Sequence, residues 1–425
     1  MKPNLHPFRL LACFLFGFTA CASSEGASCL PAEPPAWEPA LPEKFPNGVR
    51  VPTLHETYPN FVVCDGDAAR LERVFEKGLR GEPLVIAVIG GSITQGAHAG
   101  SRERQWGRVL ADWFCHVFPK SKVEYVNAGI GATGSAYAAF RVEKDVCVRK
   151  PDVVGVEFAV NDPDDEATTE YNEGLIRHLL KTPTRPFVFQ LSMVSRTRVS
   201  RQNRHIPVSR HYGIPHFSFR DAFLPLFESG KLTHKDLARD ELHPDEVGHP
   251  YMAALVCRYL NGKLADYLKA GRKPKSVPRL PDVPLVGTLF DTGSVVLADE
   301  IKILENHGFS LEKNSANKAW KGKGLCGKAV GDSVTFEVEA ASCSLLYFCI
   351  NGPMGRAHVT VDGGAPICLD GWFAATWGGY TPIVQLWKNR SGRHVVKVEI
   401  DGKTSDRKTN GHFFEIDAIL TASPE

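Results

Sequence analysis

A chain of 425 residues is long enough for two or three domains, and 43% hydrophobic with 23% charged residues is the make-up of a globular protein with a sizeable core. Fifty Lys and Arg against 48 Asp and Glu leave a net charge of +2 with no basic patch, which argues against a nucleic-acid binder. None of the cysteines forms a Cys-x-x-Cys pair or has the histidine spacing of a zinc site, so no metal, no cofactor and no cysteine nucleophile is expected.

The chain opens with Lys2 and Arg9 ahead of an apolar run at 10–20, too short to span a bilayer and of signal-peptide length. Phe18-Thr-Ala-Cys21 resembles a bacterial lipobox, which would make Cys21 a lipidated N-terminus; Ala20-Cys-Ala22 also reads as a site that releases a soluble protein. The lipoprotein reading, with residues 1–21 as the signal peptide, is preferred. Either way the expectation is export, to the cell envelope or else to the periplasm or medium. Residues 22–50, rich in proline, serine and glutamate, read as a tether.

From 51 to 268 strand and helix signals alternate, as they do in a parallel α/β sheet. Strands are expected at 84–90, 123–128, 152–160, 186–192 and, more weakly, 214–219; helices at 106–118, 136–149, 169–180 and 246–260. Such a unit of five strands with crossovers needs about 180 residues, which the stretch supplies. Four of its loops carry chemistry. The first strand runs into Gly90-Gly91-Ser92, where a sharp turn can expose a hydroxyl at the carboxyl edge of the sheet. The second ends in Gly129-Ile-Gly-Ala-Thr-Gly-Ser135, the third in Asn161-Asp162, and Asp240-Glu-Leu-His-Pro244 precedes the last helix. Acyl transfer through a serine needs a base, a group that orients the base, and donors for the oxyanion. His243 and Asp240 can supply the first two, and Asn161 with loop amides the third. Taken singly these features are ordinary: a serine after a strand is often a helix N-cap, and an Asn-Asp pair is often a turn. Their succession in chain order, each at a strand end or loop, favours catalysis.

With these four motifs, residues 80–265 resemble the SGNH (GDSL-type) hydrolase superfamily of esterases and deacetylases. The resemblance implies a flavodoxin-like three-layer parallel sheet. It implies Ser92 as nucleophile, His243 as general base and Asp240 as the orienting acid. Asn161, the amides of Gly131 and Ala132, and that of Ser92 would form the oxyanion hole. Two positions depart from the family pattern: Ala132 stands at the best match to the oxyanion glycine, and Gly91 stands where the family name implies Asp. Gln95, Asp162 and Arg196 are candidates for substrate contact, the last within an arginine-rich stretch at 193–212 that also reads as a solvated helix face. Arg141 and Asp145 would line or brace the site, and His249 would be structural.

A proline-rich, cationic linker spans 269–285, and from 286 to 425 the pattern turns to short β runs at 333–338, 343–350, 358–363, 393–400 and 413–420, an all-β sandwich. Its pieces resemble galactose-binding-like, jelly-roll accessory domains. Trp372, Phe373, Trp377, Tyr380 and Trp387 either stack on sugars or fill the sandwich core. The expected function is an exported serine esterase that removes acetyl groups from carbohydrate, with an acetylated carbohydrate as partner, no nucleic acid, and membrane contact only through a lipid anchor. The alternatives are an O-acyltransferase with the same triad and a glycan-binding surface lipoprotein.

Overall fold

The computed structural model describes residues 36–317, 320, 322–375, 379–403 and 411–423, and its first half is built on one six-stranded sheet. Strands β1 (Val62–Cys64), β2 (Leu84–Gly90), β3 (Val123–Gly129), β4 (Val153–Glu157), β5 (Phe187–Ser192) and β6 (His216–Ser218) stand in the order β1-β6-β5-β4-β2-β3. β1 is antiparallel to β6 and every other pair is parallel. Growth of the sheet reverses beside β2: β3 is laid on one side of it and β4 on the other. This is the switch point of a flavodoxin-like sheet, where ligands bind beyond the strands' carboxyl ends.

The helices are α1 (Leu54–Thr57), α2 (Ala69–Leu79), α3 (Ser92–Gln95), α4 (Trp106–Val117), α5 (Ser135–Asp145), α6 (Glu166–Lys181), α7 (Gln202–His211), α8 (Phe219–Glu228) and α9 (Gly248–Lys269). Alternate residues of β2 serve opposite faces. Ile86 and Val88 pack with Trp113, Phe223 and Leu255 of α4, α8 and α9, whereas Ala87 and Ile89 pack with Phe140 and Ile176 of α5 and α6. With both faces covered, β4 and β5 are buried along their whole length, which is why they read as unbroken apolar runs.

The run at 152–160 stops being a strand at Glu157, because the amides of Asn161 and Asp162 both turn back to the Phe158 carbonyl, at 2.9 and 3.1 Å. The weak run at 214–219 keeps only three strand residues, since the Ser218 hydroxyl accepts from the Asp221 amide and starts α8 there.

Beyond the connector two antiparallel sheets face each other. One holds β7 (Ser294–Leu297), β9 (Ser310–Glu312), β10 (Gly324–Gly327), β12 (Ser342–Tyr347), β15 (Ile383–Trp387) and β17 (Phe414–Ala422); the other holds β8 (Ile303–His307), β11 (Ser333–Glu339), β13 (Arg356–Val361), β14 (Ile367–Asp370) and β16 (Arg393–Ile400). β16 alternates strictly, burying His394, Val396, Val398 and Ile400 and presenting the residues between them to solvent. β12 is buried throughout because its sheet is covered twice. Leu345 and Ile419 meet Phe336 and Val398 inside the sandwich, whereas Leu346, Ala418 and Leu420 join Ala139, Phe140 and Ile176 of α5 and α6.

The lobes are riveted as well as packed. Asp291 takes Arg177 at 2.9 Å and Lys181 at 2.8 Å. Glu173, fully buried in α6, accepts the consecutive amides of Leu285, Val286 and Gly287 at 2.6, 2.6 and 3.0 Å. The described residues fall within one compact unit. Every described cysteine is free, and Cys326, Cys343 and Cys349 are buried as small apolar groups. Trp387 belongs to the sandwich core and Phe373 and Tyr380 pack on it; Trp377 and Cys21 lie outside the described residues.

Candidate active site

The switch point brings the ends of β2, β3 and β4 together, and the residues there are small for steric reasons. A side chain on Gly90 would begin 2.1 Å from the Thr94 hydroxyl, and one on Gly91 would begin 2.3 Å from Asn161 Oδ1. The second distance accounts for glycine at a position where aspartate was the family expectation: the Asn161 carboxamide fills that space. The chain can therefore turn at once from β2 into α3, a single turn with Ser92 as its first residue and Gly96 closing it at φ +103°.

Ser92 Oγ lies 2.8 Å from His243 Nε2, and His243 Nδ1 lies 2.7 Å from Asp240 Oδ2. The other carboxylate oxygen, Asp240 Oδ1, accepts the amides of Leu242 and His243, both at 2.7 Å. Burial alone would raise the Asp240 pKa, but the hydrogen bonds from the His243 amide, its imidazole and the Leu242 amide outweigh it and hold the carboxyl well below the usual carboxylate range. A hydroxyl, an imidazole and a carboxylate whose charged form is favoured can, in this sequence, activate the serine oxygen and stabilise the imidazolium that results.

The β3 loop and Asn161 lie close to Ser92. A Cβ on Gly131 would sit 3.7 Å from Ser92 Cβ, so the β3 loop passes directly against the serine. Ala132 takes the left-handed conformation at φ +58°, which the family's glycine would adopt without strain. The oxygen of the Asn161 carboxamide is buried against Gly91 with no hydrogen-bond partner, which leaves its NH2 end for the site.

The remaining candidates separate. Gln95 is exposed beside Gly131 and lines a groove of about 570 Å³ that runs past Tyr137 to Leu297 and Trp320 of the β-sandwich. Arg196 sits at the rim, paired with Glu241 through its guanidinium and, at 2.7 Å, through its amide, and so it holds the loop that carries Asp240 and His243. Asp162 is turned into the protein. It is buried, with Oδ1 accepting the Ser135 amide at 2.7 Å to cap α5 and Oδ2 2.8 Å from His205 Nε2, so both oxygens are already engaged. Arg141 is a buried brace that donates to the carbonyls of Ala128 and Gly90 at 2.8 and 3.3 Å and pairs with Asp145 at 2.7 Å. His249 is buried and donates to the Ala97 carbonyl at 2.9 Å.

Two residues that sequence reasoning missed belong to this neighbourhood. Glu157 is fully buried under α3, accepts from Thr94 Oγ1 at 3.1 Å, and is pushed up to about 8 by burial. A lone acid in an apolar strand run was the available signal. His98 lies 3.2 Å from Asp240 Oδ2, the oxygen that also meets His243; nothing local in the sequence marks it.

Residues 88–250 match the GDSL-like lipase/acylhydrolase family. Among solved structures, the chain is similar to a two-domain esterase (CEX) active on acetylated mannans, with 27% identity and a TM-score of 0.80 over 87% of this chain and 99% of that one. The same esterase co-crystallised with mannopentaose gives 27% identity and a TM-score of 0.79, over 87% and 98%. Among curated proteins none matches.

Proposed function

We propose that this carboxylic ester hydrolase, whose residues 88–250 match the GDSL-like lipase/acylhydrolase family, removes O-acetyl groups from carbohydrate through a Ser92-His243-Asp240 relay. The observation that carries the mechanism is the unbroken relay of 2.8 and 2.7 Å at the switch point. Ser92 Oγ attacks the ester carbonyl while His243 Nε2 takes its proton. The C–O bond to the sugar then breaks, and His243 returns the proton to the departing sugar oxygen. Water, deprotonated by the same imidazole, attacks the acetyl-serine, and acetate leaves as Ser92 recovers its proton. Asp240 holds Nδ1 and stabilises the imidazolium. The Asn161 NH2, with the amides of Ser92 and the Gly131-Ala132 segment, receives the oxyanion.

The substrate class rests on two supports. The likeness to an esterase active on acetylated mannans spans both lobes at 27% identity. The groove of about 570 Å³ starts at Gln95, on the turn that Ser92 begins, and ends at Trp320; Ser92 and His243 do not line it, but its size and terminal aromatic suit sugar units next to the cleaved ester. Export, with Cys21 lipidated or the chain released, is proposed on the apolar run at 10–20 and the residues that follow it.

The test is acetate release from a panel of acetylated mannans, xylans and simple sugar acetates, using the chain from residue 22 and its Ser92→Ala variant. The expected result is release by the parent and a fall of about 10⁴-fold or more in the variant. No release from any acetylated carbohydrate, with simple aryl acetates still cleaved, would overturn the substrate class; equal rates in both proteins would overturn the mechanism.

A further inference from the structure

We propose that His98, Asp240 and His243 form a seat for a divalent transition-metal ion, with zinc the best fit, and that an ion bound there switches the esterase off. The inference rests on the reading of His243 as general base.

The three side chains offer two imidazole nitrogens and one carboxylate oxygen within 4.8 Å of one another. Asp240 Oδ2 is the hub, with His98 Nε2 at 3.2 Å and His243 Nδ1 at 2.7 Å. Two donors on a tetrahedral zinc stand about 3.4 Å apart, given metal–ligand bonds of about 2.0–2.1 Å. The first separation is already near that value and the second has to open by less than an ångström. The imidazole rings approach edge-on, 61° apart with centroids at 5.4 Å, so both can direct a lone pair towards the carboxylate. Imidazole and carboxylate together suit zinc better than a hard cation such as calcium. His98 and Asp240 are 43% and 42% exposed, so an ion can enter from solvent and keep water as its fourth ligand.

The seat is also pre-placed. His98 holds a left-handed φ of +62°, unusual for a residue with a side chain. It is kept there from both sides. The Ala97 amide reaches the Ser92 carbonyl at 3.0 Å, the Ala97 carbonyl takes the buried His249 at 2.9 Å, and the Ala99 amide reaches the Gly96 carbonyl at 3.2 Å. The neighbouring cations are occupied elsewhere: Arg239 pairs with Glu246 at 2.8 Å and Arg196 with Glu241.

Silencing follows from proton accounting. A neutral imidazole that gives its Nδ1 lone pair to a metal carries its single proton on Nε2. His243 in that state can donate to Ser92 Oγ but cannot take its proton, so the nucleophile is never activated. His98 is needed for the ion and not for the relay, and this separates the two roles.

The experiment titrates zinc chloride into the parent and the His98→Asn variant, each rate read against that protein's own metal-free rate, with binding followed in parallel by calorimetry. The expectation is loss of activity in the parent, recovery with EDTA, and a requirement for at least about tenfold more zinc in the variant. Calorimetry should lose one site in the variant while any binding at the other His-containing clusters among the described residues, around His178 and His358, persists in both. Equal zinc sensitivity of the two proteins, or an unchanged number of bound ions, overturns the proposal. If neither protein cleaves an ester, the esterase reading has failed, and the His98-dependent calorimetric site still reports on the seat by itself.

Discussion

Gly91 and Asn161 have to be understood together. The Asn161 oxygen occupies the space a Cβ at 91 would need, 2.3 Å away, so Gly91→Ala should displace the carboxamide that we propose as an oxyanion donor. Asn161→Ala is expected to lower kcat by about 10²–10³-fold. Gly91→Ala should approach that loss, and the double variant should be little worse than either single one; full additivity would show that the two residues act separately. Glu157 offers a prediction in pH. Its pKa rises from 4.5 to about 8 in the folded protein, chiefly by burial, so the native state holds the proton more tightly than the unfolded chain. The stability this gives is fully present below about pH 4.5 and is lost as the pH climbs through about 8. Glu157→Gln keeps the shape and the bond from Thr94 but removes the titration. Its melting temperature should therefore gain on the parent steadily across that window, by an amount corresponding to a few kcal/mol, and a gap independent of pH would refute this.

The elements differ in how openly the sequence announces them. β2 was legible because an apolar run, two glycines and a serine fall within a few consecutive residues, and α4 because its apolar period is uninterrupted. β1 has three residues and pairs with β6, far along the chain, so no local pattern marks it. Ser92, His243, Asp240 and Asn161 could be named in advance because each stands at a recognisable strand end or turn. His98 and Glu157 could not, since they are defined by partners 142 and 63 residues away. The partners of Asp162 on α5 and α7 are likewise 27 and 43 residues away, so no local pattern marks its buried position. α6 carries a prediction of its own. Gly174 lies in its middle, against propensity, because a Cβ there would sit 2.5 Å from Phe290 Cβ. Gly174→Ala should destabilise the protein by about 1–3 kcal/mol in denaturant melts despite alanine's better helix propensity, because the atoms it would meet, Phe290 Cβ and the Phe290 backbone C and O, cannot swing aside. A stabilised Gly174→Ala protein would show that the contact yields freely.

At the scale of the whole molecule, the residues at 269–285 have a linker's composition, yet the lobes they join share one apolar cluster. The chain should accordingly melt in a single calorimetric transition with a van't Hoff enthalpy close to the calorimetric one; two resolved transitions would mean that the lobes fold independently. A fragment ending at residue 270 would expose the face of α5 and α6 that now meets Leu346 and Leu420, and it should aggregate or melt well below the full chain. The bonds from three successive amides to Glu173 carry a further consequence. A polymer that touches both lobes meets them at a spacing already fixed, so none of its binding free energy is consumed in drawing them together. For anyone wishing to exchange the β-sandwich for another, the unit to transplant is then the sandwich with residues 285–291 and the α6 side chains that grip them: the connector works as a splice, and lengthening it would loosen the enzyme without extending its reach.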